Sequence, residues 1–208
     1  MKPPIPPEPP PAVVHEIREL QRITLVVQQA THGLVLPADR RMRMAFGCLD
    51  LVIEYQAGVA VLADQPLWGP VFVLQRVLFE TFIRGSWLAR CATEEQLNWF
   101  EAGSLGKKKQ FHELVSEVEV PLDAAGPVFT KLRQSSWTMF NDFTHAGFEH
   151  IVRRNSETTT GPNYAESELI QVIRLTRSLG LLAAIEMAEL AGHDDVGRGL
   201  IAEARRLT

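Results

Sequence analysis

Two cysteines, no cationic excess and no eighteen-residue apolar run set the first limits on this chain of 208 residues. Cys48 and Cys91 are too few for a cysteine zinc site. Each lies in an apolar periodic segment, which reads as a reduced core thiol of a cytoplasmic protein. Lys and Arg number 21 against 25 Asp and Glu, a net charge of −4. Such a chain has no global field drawing it to phosphate, so broad coating of nucleic acid is excluded and only a local basic patch is left open. Without a long apolar run no membrane span is expected, and "MKPPIPPEPPPAVV" has no apolar core of a secretory signal. Phosphate-binding glycine loops and a GxSxG elbow are missing. So is any Glu-x-x-His pair, which a di-iron bundle would need twice. No cofactor and no metal is indicated.

What is present is helical periodicity. The hydrophobic content of 46% suits one good-sized domain. Seven of the thirteen prolines fall in residues 1–11, whose fixed φ and missing N–H groups favour an extended arm. Residues 12–208 then read as a single all-α bundle of about six to eight helices. Val13, Ile17, Leu20, Thr24 and Val27 mark the first, and Asp39 is placed to cap the second. "ADQPLWGP" is a break. "VFVLQRVLFETFIRGSWLARC" is apolar on nearly every side and is expected at the centre. Thr93 caps the next helix. "GSLGKKKQFHELVSEV" is a loop and a short helix, a helix starts near Val128, and residues 165–191 form a long one ended by Gly192. Asp194 is expected to cap the closing helix.

Candidate chemistry gathers in two places. Arg76, Glu80 and Arg84 stand at i, i+4 and i+8, one narrow stripe on the apolar central helix. Facing inward, such a stripe needs partners, because unpaired buried charge costs several kcal/mol. The economical partners lie in "FNDFTHAGFEHIVRRN", where Asn141 and Asp142 precede His145 by four and three residues and so share its face. His145 could act as base, acid or plain hydrogen-bonding group, with Asp142 holding its tautomer. His150 beside Arg153 and Arg154 reads as a solvated rim able to meet phosphate, and with "GKKK" at 106–109 as a weak RNA-facing patch. A metal set of Asp142, His145 and Glu149 is disfavoured by Gly147 within it.

"LQRVLFETFIRGSWLAR", followed about sixty residues later by "FNDFTHAG", resembles uncharacterised bacterial families of the HEPN-like helical class. Those families pair an Arg-x-x-x-Glu helix with a later Asn-Asp-x-x-His-(Gly/Ala)-Gly element. The resemblance covers roughly residues 40–190. It implies an all-helical, often homodimeric domain, sometimes linked to defence or toxin systems. Ribonucleases of that class carry Arg followed four to six residues later by His, and no histidine here has an Arg in that window. Two readings result. One is a helical interaction or small-ligand domain, with Arg76, Glu80, Arg84, Asn141, Asp142 and His145 forming a polar pocket. The other is a metal-independent ribonuclease with His145 moving the proton and Arg76 or Arg84 stabilising the phosphate.

Overall fold

The computed structural model describes residues 8–35, 38–122, 126–156 and 158–207, and among them it forms ten α-helices and no strand beyond an isolated bridge of Asn155 with Thr160. In chain order these are α1 (Pro11–Thr31), α2 (Arg40–Asp64), α3 (Trp68–Arg90), α4 (Glu94–Glu101), α5 (Leu105–Lys108), α6 (Phe111–Glu119), α7 (Val128–Thr144), α8 (Phe148–Val152), α9 (Glu166–Leu190) and α10 (Asp194–Arg205). The expected count of six to eight is thereby corrected to ten. The segment after Ser104 splits into α5 and α6, and the stretch after His145 winds one further short helix, α8. Most of the proline-rich arm, residues 1–7, lies outside the described residues, while Glu8–Pro10 precede α1 without helix.

Local signals explain most boundaries. The Asp39 carboxylate accepts from the Met42 N–H, the bond of a side-chain N-cap. Thr93 and Gln96 form a reciprocal capping box at α4. The break between α2 and α3 is only Gln65–Leu67, so Gly69 and Pro70 fall in the first turn of α3, where a missing N–H costs nothing. Gly192, at φ +74°, follows the end of α9 in the left-handed region that glycine adopts freely. Asp194 stands inside the first turn of α10, with His193 at the cap position. That corrects the expected cap, though the carboxylate still favours the helix dipole.

α3 is the central helix, packed by α2, α9, α7 and α6. Leu78, Phe79, Phe82, Ile83, Trp87 and Leu88 are all buried on it. A Cβ at Gly85 would come within 2.9–3.1 Å of Leu49 and Cys48, so glycine sets the close approach of α2. α2 is also long and apolar enough, by length and composition, to cross a membrane, and 50% of that stretch is buried inside the bundle.

Candidate functional site

The charged line of α3 meets the end of α7. Glu80 divides its carboxylate between two cations: Oε1 accepts from Arg76 Nε at 2.7 Å, and Oε2 lies 2.8 Å from Arg84. The side-chain exposures are 23% for Arg76, 14% for Glu80 and 38% for Arg84, so the acid is the most sheltered member. The Arg84 pair, more than a third exposed, contributes only about 0.3–0.5 kcal/mol. Arg76 is held far more tightly. Its Nη1 lies 2.9 Å from His145 Nε2, across 69 residues of chain. Its guanidinium also rests over the Trp137 ring at 5.1 Å from the centroid. A guanidinium only donates, so in this contact Nε2 accepts and the imidazole proton belongs on Nδ1.

The local chain explains why His145 points there while its neighbours do not. His145 follows α7, its N–H bonded to the Asn141 carbonyl at 3.0 Å. Ala146 takes φ +52°, and the Gly147 N–H closes back on the Asp142 carbonyl at 2.7 Å, a Schellman-type ending. Gly147 itself has φ −71°, so glycine there serves space rather than handedness. A Cβ on Gly147 would fall 2.2 Å from the Asp142 carboxylate. That carboxylate accepts the His150 N–H at 2.9 Å and so holds α8 against α7.

Two expected members of the pocket are therefore corrected. Asp142 serves α8 and not the His145 tautomer. Asn141 is half-buried, and its side chain makes no hydrogen bond to the charged line among the described residues. The disfavoured metal set diverges: Asp142 turns to the His150 N–H, Glu149 to Arg153 at 2.7 Å and His145 to Arg76. The solvated rim is corrected as well. His150 is half-buried with Nδ1 bonded to the Phe143 carbonyl at 3.0 Å, and Arg153 is occupied by Glu149 and Glu168.

This turn yields a pair of opposed expectations. Ala146→Gly relieves a left-handed alanine and should stabilise by about 0.5–1 kcal/mol. Gly147→Ala drives a methyl into Asp142 and should destabilise by about 1–3 kcal/mol. Thermal unfolding of the two variants checks both signs.

Beside the charged line opens a cleft of about 350 Å³, lined by Arg76, Glu80, Arg84, Lys109, Phe111 and Trp137 among others. Phe111 stacks on Trp137 with centroids 4.8 Å apart and forms the aromatic wall. Lys109 Nζ lies 2.6 Å from Glu117, whose other oxygen accepts from Trp87 Nε1 at 2.6 Å. Burial works to raise the Glu117 pKa, but the hydrogen bonds from Lys109 and Trp87 outweigh it and the pKa is lowered. The cleft thus gathers three cations around one lining carboxylate. Lys109, Phe111 and Trp137 were not among the site residues read from the sequence. A signal existed only for Trp137, which stands at i−4 from Asn141 on the same face of α7.

The thiols stand apart from this chemistry. Burial pushes the Cys48 pKa up to about 11, against the pull of the Arg84 charge, and burial likewise raises that of Cys91, so both are weak nucleophiles at neutral pH. No curated protein and no solved structure matches the chain. Residues 49–206, which hold the whole charged line, the cleft and His145, match a family of unknown function (DUF6988), and the chain belongs to that family.

Proposed function

We propose that the chain is a helical ligand-binding domain whose cleft receives a small phosphate-bearing anion on Arg76 and Arg84, with Lys109 alongside. The observation that carries this is the charge inventory: Arg76, Arg84 and Lys109 line the cleft, Glu80 is the one carboxylate in its lining among the described residues and is shared by both arginines, and Lys109 is paired with Glu117. Arg76 is already fixed by Glu80, His145 and Trp137, so little side-chain freedom is lost when an anion arrives. Titration with inorganic pyrophosphate at low salt tests the reading. Wild-type protein should bind it, and Arg84→Gln should weaken binding about tenfold, the loss of one charge-assisted hydrogen bond. Equal binding by the variant, or none by the wild type, overturns it.

A second reading draws on the exposure of His145, 2.9 Å from Arg76. In it Arg76 turns from His145 to the phosphate, the freed Nε2 takes the proton of an RNA 2′-hydroxyl, the 2′-oxygen attacks phosphorus, and the 5′-oxygen leaves with a proton from water. Arg76 and Arg84 stabilise the charge on the phosphoryl oxygens. The resemblance to the HEPN-like class supports this chemistry together with a homodimeric protein of defence or toxin-antitoxin systems, and the free thiols of Cys48 and Cys91 suit a cytoplasmic one. The missing Arg-His spacing counts against it. His145→Ala decides: RNA cleavage that survives in the variant sinks the mechanism.

A further inference from the structure

On the far side of the α7–α8 turn lies a second, larger recess of about 840 Å³, whose walls come from the α2–α3 connection, the first turns of α3, α8 and Pro162. Its surface is mainly apolar. Leu67 and Ile151 line it while each remains 49% exposed, and Trp68, Val73 and Leu74 complete the walls. Phe148, 75% exposed, stands three residues before Ile151 and therefore on the same side of α8. Apolar surface of this kind, left in water around a concavity, marks a binding groove more often than chance exposure does.

Its polar groups are few and of one sign. Among the described residues no carboxylate lines the recess, while Arg154 does, with the His150 ring beside it. Arg154 differs from Arg153 next to it: Arg153 is bound by two glutamates, and no carboxylate pairs with Arg154 among the described residues. His150 presents Nε2 on this side because Nδ1 is held by the Phe143 carbonyl. Gly69 leaves the space between them and the wall. A Cβ there would stand 3.5 Å from His150 Nε2 and 3.8 Å from the buried Tyr164 hydroxyl. Burial raises the Tyr164 pKa, against the pull of the Arg154 and Arg153 charges.

We propose that this recess binds a free amphipathic carboxylate, its chain along Leu67, Leu74 and Ile151 and its head on Arg154. An apolar wall alone would admit any greasy partner. A guanidinium with no acid beside it in the lining among the described residues selects an anionic head, and the concave form selects a small molecule over a flat surface. The site is separate from the phosphate cleft, so its test does not depend on that reading.

The experiment is calorimetric titration of the whole chain with decanoate, below its micelle threshold, and with 1-decanol. Decanoate should bind at least tenfold more tightly than the alcohol. Arg154→Gln, which breaks no ion pair among the described residues, should remove that preference and leave alcohol binding unchanged. Gly69→Leu should weaken both probes tenfold or more by filling the recess, and far-UV circular dichroism checks that each variant keeps its helices. Equal affinity for the two probes, unchanged decanoate binding in Arg154→Gln, or uptake only above the micelle threshold would each overturn the proposal.

Discussion

Glu16→Ala is expected to lower stability by about 3 kcal/mol, roughly 6–12 °C in Tm, the first of two strong effects that the core predicts. Glu16 is 5% exposed in the second turn of α1, and its carboxylate is gripped by two arginines of α9. Arg174 donates to Oε1 at 2.6 and 2.8 Å, and Arg177 Nη1 donates to Oε2 at 3.0 Å. Arg174 can turn to water when the acid is removed, because its side chain is 60% exposed. Arg177 cannot. It is 6% exposed, and its Nε already lacks a partner. Truncation of Glu16 therefore strands a buried cation, which is the costly way to break such a pair. Thermal or denaturant unfolding measures it, and a loss below about 1 kcal/mol would mean that Arg177 finds water.

The same group gives a pH signature. Burial works to raise the Glu16 pKa, but the hydrogen bond from Arg174 and the charges of Arg177 and Arg174 outweigh it, and the pKa is lowered from its ordinary 4.5. A depressed acid contributes stability that is complete above its unfolded pKa and is lost as pH falls through the folded value. Wild-type stability should therefore decline below pH 4.5 more steeply than that of Glu16→Gln. Glu186 acts in the opposite sense, since burial raises its pKa despite Arg90. It is present in both proteins, so the difference between their curves isolates Glu16.

The sequence made the helical class and the central place of α3 legible, because strong periodicity and near-continuous apolar character need no tertiary information. The Arg76–Glu80–Arg84 stripe was legible for the same reason, and its meeting with His145 came from asking what an inward stripe must pair with. Asp142 was misplaced because spacing puts it on the His145 side of a continuing helix, whereas α7 ends at Thr144 and Ala146 reverses the chain. A left-handed alanine carries no composition signal. The Glu16 cluster was hidden for another reason. Glu16 and Leu20 are i, i+4 on one buried face, yet its partners lie 158 and 161 residues away, a pairing that only the packing of α1 on α9 reveals. The cleft wall was missed likewise: Phe111 and Trp137 belong to different helices and become one surface only on folding.

Gly180→Ala is the second large expectation. A Cβ at Gly180 would stand 2.2 Å from both Cδ and Oε1 of Gln56 and 2.5 Å from its Nε2, closer than any tolerable contact. Gln56 is fully buried on α2, with neither end of its amide hydrogen-bonded. It can retreat neither into water nor towards a partner. The added methyl must push α2 and α9 apart or force the amide off its rotamer, which should cost about 3 kcal/mol, the upper end of core overpacking. A second substitution separates this cause from a general defect in α9. Gln56→Ala removes both the clash and an unsatisfied amide whose burial is itself unfavourable, so in the double variant the methyl added at Gly180 occupies part of the vacated space. A double-mutant cycle should then return a favourable coupling of more than about 1 kcal/mol. Additive losses would place the damage elsewhere in the helix and remove the amide–glycine contact as its origin.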